Sequence, residues 1–534
     1  MIRPSDYPPP PVDVFVAPSD PEPVEVDVAI VGAGPAGLAA AIRLGQIEPE
    51  LSVAVLEKGK SAGSHLLSGA VVRPGPLREL VGEFPSYGEV RGEAVYMLTR
   101  RRALRVPTPP TMRNKGNVVV SLSQLGRWLA ERAEAGGAMV LPETAAVSLL
   151  VDGDRIVGVR TGDKGRGRGG EETARFEPGS DVRARVTILA EGTAGHLTGG
   201  ALSRFELGGA NPQVWALGVK EVWRVARPLS HVIHTLGWPL RASGRWREFG
   251  GSFVYPLGDE LVSIGLVVGL DYADAGLSVH DLLQSLKTHP FVHALLDGGE
   301  RVQWGAKTIP EGGFLSLPRR CSAPGLLVCG DGAGFVNVPA LKGVHLAVES
   351  GRLAAEAAAS GELSSYDAAL RSSWLWGELR EVRNMRQAFG RGFWPGSALA
   401  GAMTLTRGRF PDGDWRTESD AGRPVFPGGD GAGPVAPDGS LTFDKLSSVF
   451  VSGNRTSEDQ PNHIRIATPV PRELAELWSH MCPAQVYEVG AVQDDGLVEV
   501  RVASSNCVQC GAITAKGGRL TPPEGGAGPE YTLM

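Results

Sequence analysis

The stretch VDVAIVGAGPAGLAAAIRL, residues 26–44, admits few folds. An apolar run ends in glycines and passes at once into an Ala/Leu-rich segment, which predicts strand, tight turn and helix. Gly32, Gly34 and Gly37 form a G-x-G-x-x-G set. The first permits the turn, the second lets backbone approach a pyrophosphate, and the third lets helix and strand pack closely. Pro35 suits the first helical position. The free N–H groups of the helix N-terminus then favour an anion. A second apolar strand, LSVAVLEKG, follows, and Glu57 lies twenty residues after Gly37, where an acid accepts hydrogen bonds from a ribose hydroxyl. Lys58 is next to it. This βαβ opening predicts a nucleotide-binding, Rossmann-like domain; by itself it does not separate FAD from NAD.

Later segments repeat the pattern. RARVTILAEG is a buried strand ending at Glu191 and Gly192, and GLLVCGDGAGFVN is a strand followed by the turn at Gly330 and Asp331. The helix KGVHLAVESGRLAAEAAA starts after Lys342 and Gly343. These segments look like the later FAD contacts of two-domain flavoproteins. There the aspartate meets the ribityl or phosphate end, and the helix N-terminus faces the isoalloxazine edge. A β-rich stretch, about 205 to 300, interrupts the α/β pieces.

The chain has 534 residues, too many for one core. Its net charge of −6 leaves no electrostatic footprint for nucleic acid. Five cysteines do not make a secreted disulfide framework, so a reducing compartment is expected. The first 27 residues are rich in Pro and acids and lack the character of a signal or transit peptide. No uncharged apolar run reaches spanning length. Residues 392–406, GFWPGSALAGAMTLT, are uncharged and flanked by Arg386, Arg391, Arg407 and Arg409. They suit shallow insertion in a membrane surface, with Trp394 at the interface; a buried core helix is the alternative.

Cysteines mark the end of the chain. Cys482 opens CPAQVYE, and Cys507 and Cys510 form a C-x-x-C pair. In a C-x-x-C-x-x-C run the next thiolate would fall at 513, which is Ile. Cys321 and Cys329 read as buried strand thiols.

In order along nearly the whole chain, the stretches IVGAGPAGL, LSGAVV, HTLGWPL, FGGSFVYPL, EGGFLSLP, GFVNVPALKGVHLAVESG, DGSLTFDKLSSVFVSGN, EDQPNHIRI, CPAQVYE and CVQC…PPEGGAGPEY resemble the electron-transfer flavoprotein:ubiquinone oxidoreductase family. The resemblance implies a Rossmann-like FAD-binding domain, an inserted β-rich quinone-binding domain and a C-terminal ferredoxin-like iron–sulfur domain. The expected division is an extended arm over 1–24; an FAD domain from 25–75, 112–204 and 300–365; a quinone and membrane-contact domain from 76–111, 205–299 and 366–410; and the cluster domain over 411–534. The implied activity is transfer of electrons from reduced electron-transfer flavoprotein, through FAD and an iron–sulfur cluster, to ubiquinone or menaquinone. The implied place is the cytoplasmic face of a bacterial inner membrane, bound peripherally through about 392–406.

The FAD residues so implied add Ser68, Gly69 and Val338 to those above. Gly250 and Gly251 would lie against the quinone head group; a β-bulge or turn is the alternative. A further shallow membrane contact is expected from SGAVVRPGPLRELVGEF, residues 68–84, and His345 and Lys342 sit at the helix start near the expected flavin, a capping or solvated role being the alternative. The family's four cluster thiolates map onto Cys482, Cys507, Cys510 and position 513. Ile513 leaves open a 4Fe-4S cluster with a non-cysteine corner, a 3Fe-4S cluster, zinc, or no metal. Thr514, Glu524 and Glu530 are candidates for a fourth cluster ligand, and His480 or His463 for zinc. The rival readings are a prenyl reductase similar to the geranylgeranyl reductases and a non-enzymatic flavin or metal redox sensor.

Overall fold

The strand Val24–Val31 is buried along the half that enters the glycine turn, and the helix Pro35–Ile47 buries its alanines against the sheet. A computed structural model of the chain describes residues 1–241, 244, 246–428 and 435–534. The nucleotide-domain sheet places Phe15–Val16, Ala146–Asp152, Arg155–Thr161, Asp181–Leu189, Val24–Val31, Val53–Leu56 and Met139–Leu141 side by side, with Leu326–Val328 pairing onto Asp181–Leu189. Its central pairings are parallel, so every switch point needs a crossover and the carboxyl ends converge on one crevice. The N-terminal segment holds a 3-10 turn at Pro4–Asp6 and docks: Phe15 and Val16 pair with Leu149 and Leu150 at the sheet edge.

The second sheet runs Glu300–Pro310, Trp215–Arg224, Leu261–Gly269, Gly250–Leu257, Val232–Gly237, Glu93–Leu98, Ala103–Val106. All its neighbours are antiparallel except Val232–Gly237 against Glu93–Leu98. Three expected boundaries move, the first being that Ser365–Ser372 and Trp374–Glu381, assigned from sequence to the quinone domain, bury Tyr366, Leu370, Leu375 and Leu379 in the nucleotide-domain core. Glu300–Pro310, assigned from sequence to the FAD domain, pairs with Trp215–Arg224 over its whole length and belongs to the second sheet. The helix Gly75–Val81, assigned to the quinone domain, buries Leu77 and Leu80 in the nucleotide-domain core. The expected second membrane contact over 68–84 is therefore not an exposed apolar surface at these leucines.

In the C-terminal part, the helix Arg472–Met481 packs on the small sheet of Val470–Pro471, Leu497–Val502 and Tyr487–Val492. Leu474, Leu477 and Trp478 share a core with Leu283, Leu286 and Val292 from the helices behind the second sheet. The C-terminal domain is thus joined to the second sheet by buried apolar surface.

Candidate functional site

One cavity of about 780 Å³ runs between the two sheets. At one end lie the glycine turn and the ends of the parallel strands; at the other lie Gly250, Gly251 and the helix Phe393–Thr406. It brings together Gly32, Gly34, Pro35, Glu57, Lys58, Ser68, Gly69, Glu191, Gly192, Gly330, Asp331, Val338, Lys342 and Gly343. Gly37 alone of the expected FAD residues stands back from it: a Cβ there would sit 2.1 Å from the Gly32 carbonyl, so it serves the helix–strand contact.

The backbone at the glycine turn fits the pyrophosphate of FAD. Gly32 has φ +105° and a Cβ would meet the Ala190 carbonyl at 2.4 Å, so the fold itself demands glycine. Gly34 is different. Its backbone is extended, and a Cβ would meet nothing nearer than Leu66 Cδ2 at 3.7 Å. The protein leaves that space open at the start of a helix, where a pyrophosphate is favoured. The N-terminus of the helix Val344–Ser360, capped by Gly343, also reaches the cavity.

The cavity is lined by more cations than the motifs announce. Lys220 Nζ donates to the Ser68 carbonyl at 2.9 Å, and burial lowers it to about 7. Lys342 is lowered to about 7 and Lys307 to about 8, both chiefly by burial. Desolvation also pulls Lys58 below the usual lysine range despite Glu57 and Glu191. An anionic ligand would relieve this crowding. Stripping flavin should therefore lower the unfolding temperature, and FAD at about a thousand times its Kd should restore roughly 4 kcal/mol. Thermal denaturation checks this; an unchanged midpoint would count against these lysines as the anion's partners.

The acids are more committed than expected. Glu57 accepts from the Ala33 and Gly59 N–H groups at 3.0 and 2.7 Å and so holds the turn. Glu191 accepts from Leu197 and Thr198 N–H at 3.2 and 2.6 Å and so caps the helix His196–Arg204. Burial raises Asp331 to about 6. His345 is not on the cavity wall: its ring lies 3.2 Å from Glu378 and stacks on Trp374. Of His345 and Lys342, only the latter lines the cavity.

At the far end, Gly250 and Gly251 begin the strand Gly250–Leu257. A Cβ at Gly250 would meet the Val267 carbonyl at 2.1 Å, so the register of the sheet already requires glycine there. Phe249, Met385, Phe389, Phe393, Ala400 and Leu405 line the cavity around them. Glu311 lines it too, its carboxylate accepting from Arg386 Nε at 3.2 Å; burial, opposed by Arg386 and reinforced by Asp271, raises it to about 7. Arg386, read from sequence as a headgroup contact, is instead buried, pairs with Asp271 at 2.9 Å and covers the Phe249 ring at 4.1 Å. Arg391, Arg407 and Arg409 are exposed.

Lys220, Lys307 and Glu311 were not found from sequence. The available signal was a lysine inside an apolar strand, as in ALGVKEVW and QWGAKTIP.

The three C-terminal cysteines surround a small cavity of about 20 Å³ together with Ile513. Their loop abuts the large cavity. The Cys510 carbonyl accepts from Thr308 N and Oγ1 at 2.8 and 2.9 Å, and Lys307 Nζ donates to the Gln509 carbonyl at 3.1 Å. Lys307, Thr308, Gln509 and Gly511 all line the large cavity. Ile513 stands where the family's fourth thiolate would be, so the residues present do not supply a four-thiolate set. Neither His480 nor His463 reaches the small cavity, and among the described residues no group of three or more His, Cys, Asp or Glu is placed to hold a metal ion, so the zinc alternative lacks a ligand set. Cys321 and Cys329 are buried and free, as read.

A family model described as "ETF-QO, ubiquinone-binding" matches residues 215–309. Another, "Electron transfer flavoprotein-ubiquinone oxidoreductase, 4Fe-4S", matches 439–532, and the Thi4 family model matches 21–75. Among solved structures, a geranylgeranyl bacteriochlorophyll reductase-like protein from Thermoplasma acidophilum matches with TM-score 0.55 at 19% identity, over 72% of this chain and 92% of that one. That likeness shows a shared fold alone. The electron transfer flavoprotein-ubiquinone oxidoreductase of Pseudomonas aeruginosa is 38% identical over 94% of this chain and 98% of its own length. The mitochondrial protein of that name from Oryza sativa subsp. japonica is 40% identical over 94% of this chain and 92% of its own length, and the chain belongs to the electron transfer flavoprotein-ubiquinone oxidoreductase family.

Proposed function

We propose that this chain takes electrons from reduced electron-transfer flavoprotein and delivers them, with protons, to a membrane quinone. The observation that carries the reading is the single cavity joining an FAD-shaped cradle to an apolar end at Gly250 and the helix Phe393–Thr406. FAD, when bound, supplies the exchange between one- and two-electron steps. The chain's own residues bind and orient. Gly34 leaves room for the pyrophosphate, and the N-termini at Pro35 and Val344 face its anionic and isoalloxazine parts. Lys58, Lys220, Lys307 and Lys342 balance charge. Gly250 and Gly251 offer backbone close to a planar quinone, and Glu311 holds a proton where quinone becomes quinol. The Cys510 loop, bonded to Thr308, brings the C-terminal domain within a few bonds of the flavin end.

Quinone reduction by the purified chain with electron-transfer flavoprotein as donor tests this. The expected result is flavin reduction by the donor and reoxidation by quinone. Reduction of prenyl double bonds without response to that donor would favour the prenyl reductase; flavin that reduces without quinone turnover would favour a sensor.

No helix among the described residues is long and apolar enough to cross a membrane. The helix Phe393–Thr406 lines the cavity with one side and exposes Trp394, and Phe410 follows it, also exposed. We place this surface in the interface, with Arg391, Arg407 and Arg409 at headgroup level. Exchanging Trp394 and Phe410 for Asp should weaken sedimentation with phospholipid vesicles about tenfold or more. Reduction of a short-chain soluble quinone should stay intact; undiminished vesicle binding would remove this surface from the contact. The free cysteines suit a reducing compartment, in keeping with the cytoplasmic face of a bacterial inner membrane, which fractionation with protease protection checks.

A further inference from the structure

We infer that the arginine-rich hairpin turn around residues 99–105 is a docking surface for anionic phospholipid headgroups, so that this chain selects negatively charged membranes. This deepens the quinone reading and rests on it for the side on which the bilayer lies.

The sequence supplies the charge. Arg100, Arg101, Arg102, Arg105, Arg113 and Lys115 fall in one short segment, and no Asp or Glu occurs between Glu93 and Glu131. The strands Glu93–Leu98 and Ala103–Val106 form an antiparallel pair, and the turn between them carries the three successive arginines. That turn closes without their side chains: Thr99 N–H donates to the Arg102 carbonyl at 2.9 Å, and Arg102 N–H donates to Thr99 Oγ1 at 3.1 Å. All six cations are exposed. Among the described residues none of the six lies in an ion pair. Ala103–Val106 is an edge strand of the second sheet. A charge or two on such a strand blunts unwanted pairing. Three adjacent arginines in the turn go further, adding a mutual repulsion that the fold does not offset.

Topology fixes where the turn points. Val232–Gly237 lies between Gly250–Leu257 and Glu93–Leu98, pairing Thr235 with Ser252 and Gly237 with Leu98. Gly250, Gly251 and the arginine turn therefore emerge at the same end of the sheet, two strand spacings or roughly 10 Å apart. Trp238 N–H donates to the Leu98 carbonyl at 3.0 Å, which ties the base of the turn to that end. At the same end the Phe249 ring packs on Phe389 at 5.2 Å, and Phe389 on Phe393 at 6.5 Å, where the helix Phe393–Thr406 begins. The apolar helix and the cationic turn thus border one end of the sheet, the end read as receiving quinone. A quinone dissolved in lipid arrives from the bilayer, so this end faces headgroups. Guanidinium forks match phosphate oxygens, and a negative surface potential draws exposed cations to it. Leu104, 53% exposed beside Arg105, adds an apolar contact.

The test is sedimentation of the full chain with vesicles of phosphatidylcholine alone and of phosphatidylcholine mixed with phosphatidylglycerol. Binding to the mixed vesicles should be at least about tenfold tighter and should weaken as salt rises, because exposed charges are screened. The triple variant Arg100→Gln, Arg101→Gln, Arg102→Gln should lose that preference, and Arg100→Lys, Arg101→Lys, Arg102→Lys should keep it. Flavin content and reduction of a short-chain soluble quinone should match the parent in both, so failure here is distinguishable from failure of the quinone reading. Equal, salt-insensitive binding of the parent to the two kinds of vesicle would overturn the inference, whatever the variants do. A glutamine variant that keeps the preference would also overturn it. If that variant lost oxidation of electron-transfer flavoprotein instead, the arginines would belong to a protein partner.

Discussion

Gly34→Val should yield a folded protein without flavin. Position 34 has extended backbone, which valine favours, and the nearest protein atom to an added Cβ is 3.7 Å away. The first helical hydrogen bond, Leu38 N–H to the Gly34 carbonyl at 2.9 Å, does not involve the side chain. The added Cβ meets no protein atom closer than ordinary contact, whereas a pyrophosphate at the helix N-terminus would meet the valine side chain. Quinone reduction should fall by at least about a hundredfold, which is roughly 2.7 kcal/mol. Circular dichroism should stay close to the parent, and flavin absorbance should be lost. Gly32→Ala is the contrast: φ +105° and a carbonyl at 2.4 Å place its damage in the fold. A Gly34→Val protein that keeps its flavin would remove the cradle from the site.

Glu311→Gln should separate the two halves of the reaction. Glu311 lines the proposed quinone end of the cavity, and its neighbours in charge are Arg386, Asp271, and, through Asp271, Arg423 at 3.6 Å. Glutamine keeps the shape and an acceptor for Arg386 but carries no transferable proton. Flavin reduction by electron-transfer flavoprotein should be unchanged, while quinone turnover falls by roughly a hundredfold or more, the usual contribution of a positioned acid. The pH dependence has a definite sign. A carboxyl raised to about 7 is a donor below that pH and loses its proton above it. Turnover in the parent should therefore decline as pH rises through about 7, and the variant should lack that limb. A variant within twofold of the parent, with the limb retained, would exclude Glu311 as the proton source.

The cofactor end of the site was legible in sequence because glycine turns have strict local causes. A positive φ or a carbonyl at contact distance excludes a side chain, and the residues concerned are adjacent in the chain. The cysteine spacing was legible for a similar reason. Lys220 and Lys307 were not, since each sits on a strand whose neighbours are fixed by long-range pairing, and Glu311 directly follows the second of these strands. Arg386 was misread because charge beside an apolar run looks alike whether it faces headgroups or a buried carboxylate. Only Asp271 and Glu311, brought from other elements, distinguish the two.

By itself the sequence determined the nucleotide-binding opening, the family, and the loss of one cluster thiolate, since each depends on residue type and local spacing. Tertiary structure decided what those parts share. It placed Glu300–Pro310 in the second sheet, so that one strand carries Lys307 to the flavin end, Thr308 to the Cys510 loop, and the chain on to Glu311 at the quinone end. It also showed Ile513 buried among the thiols. Pairing and packing between distant segments set these neighbours, and they leave no mark in local spacing.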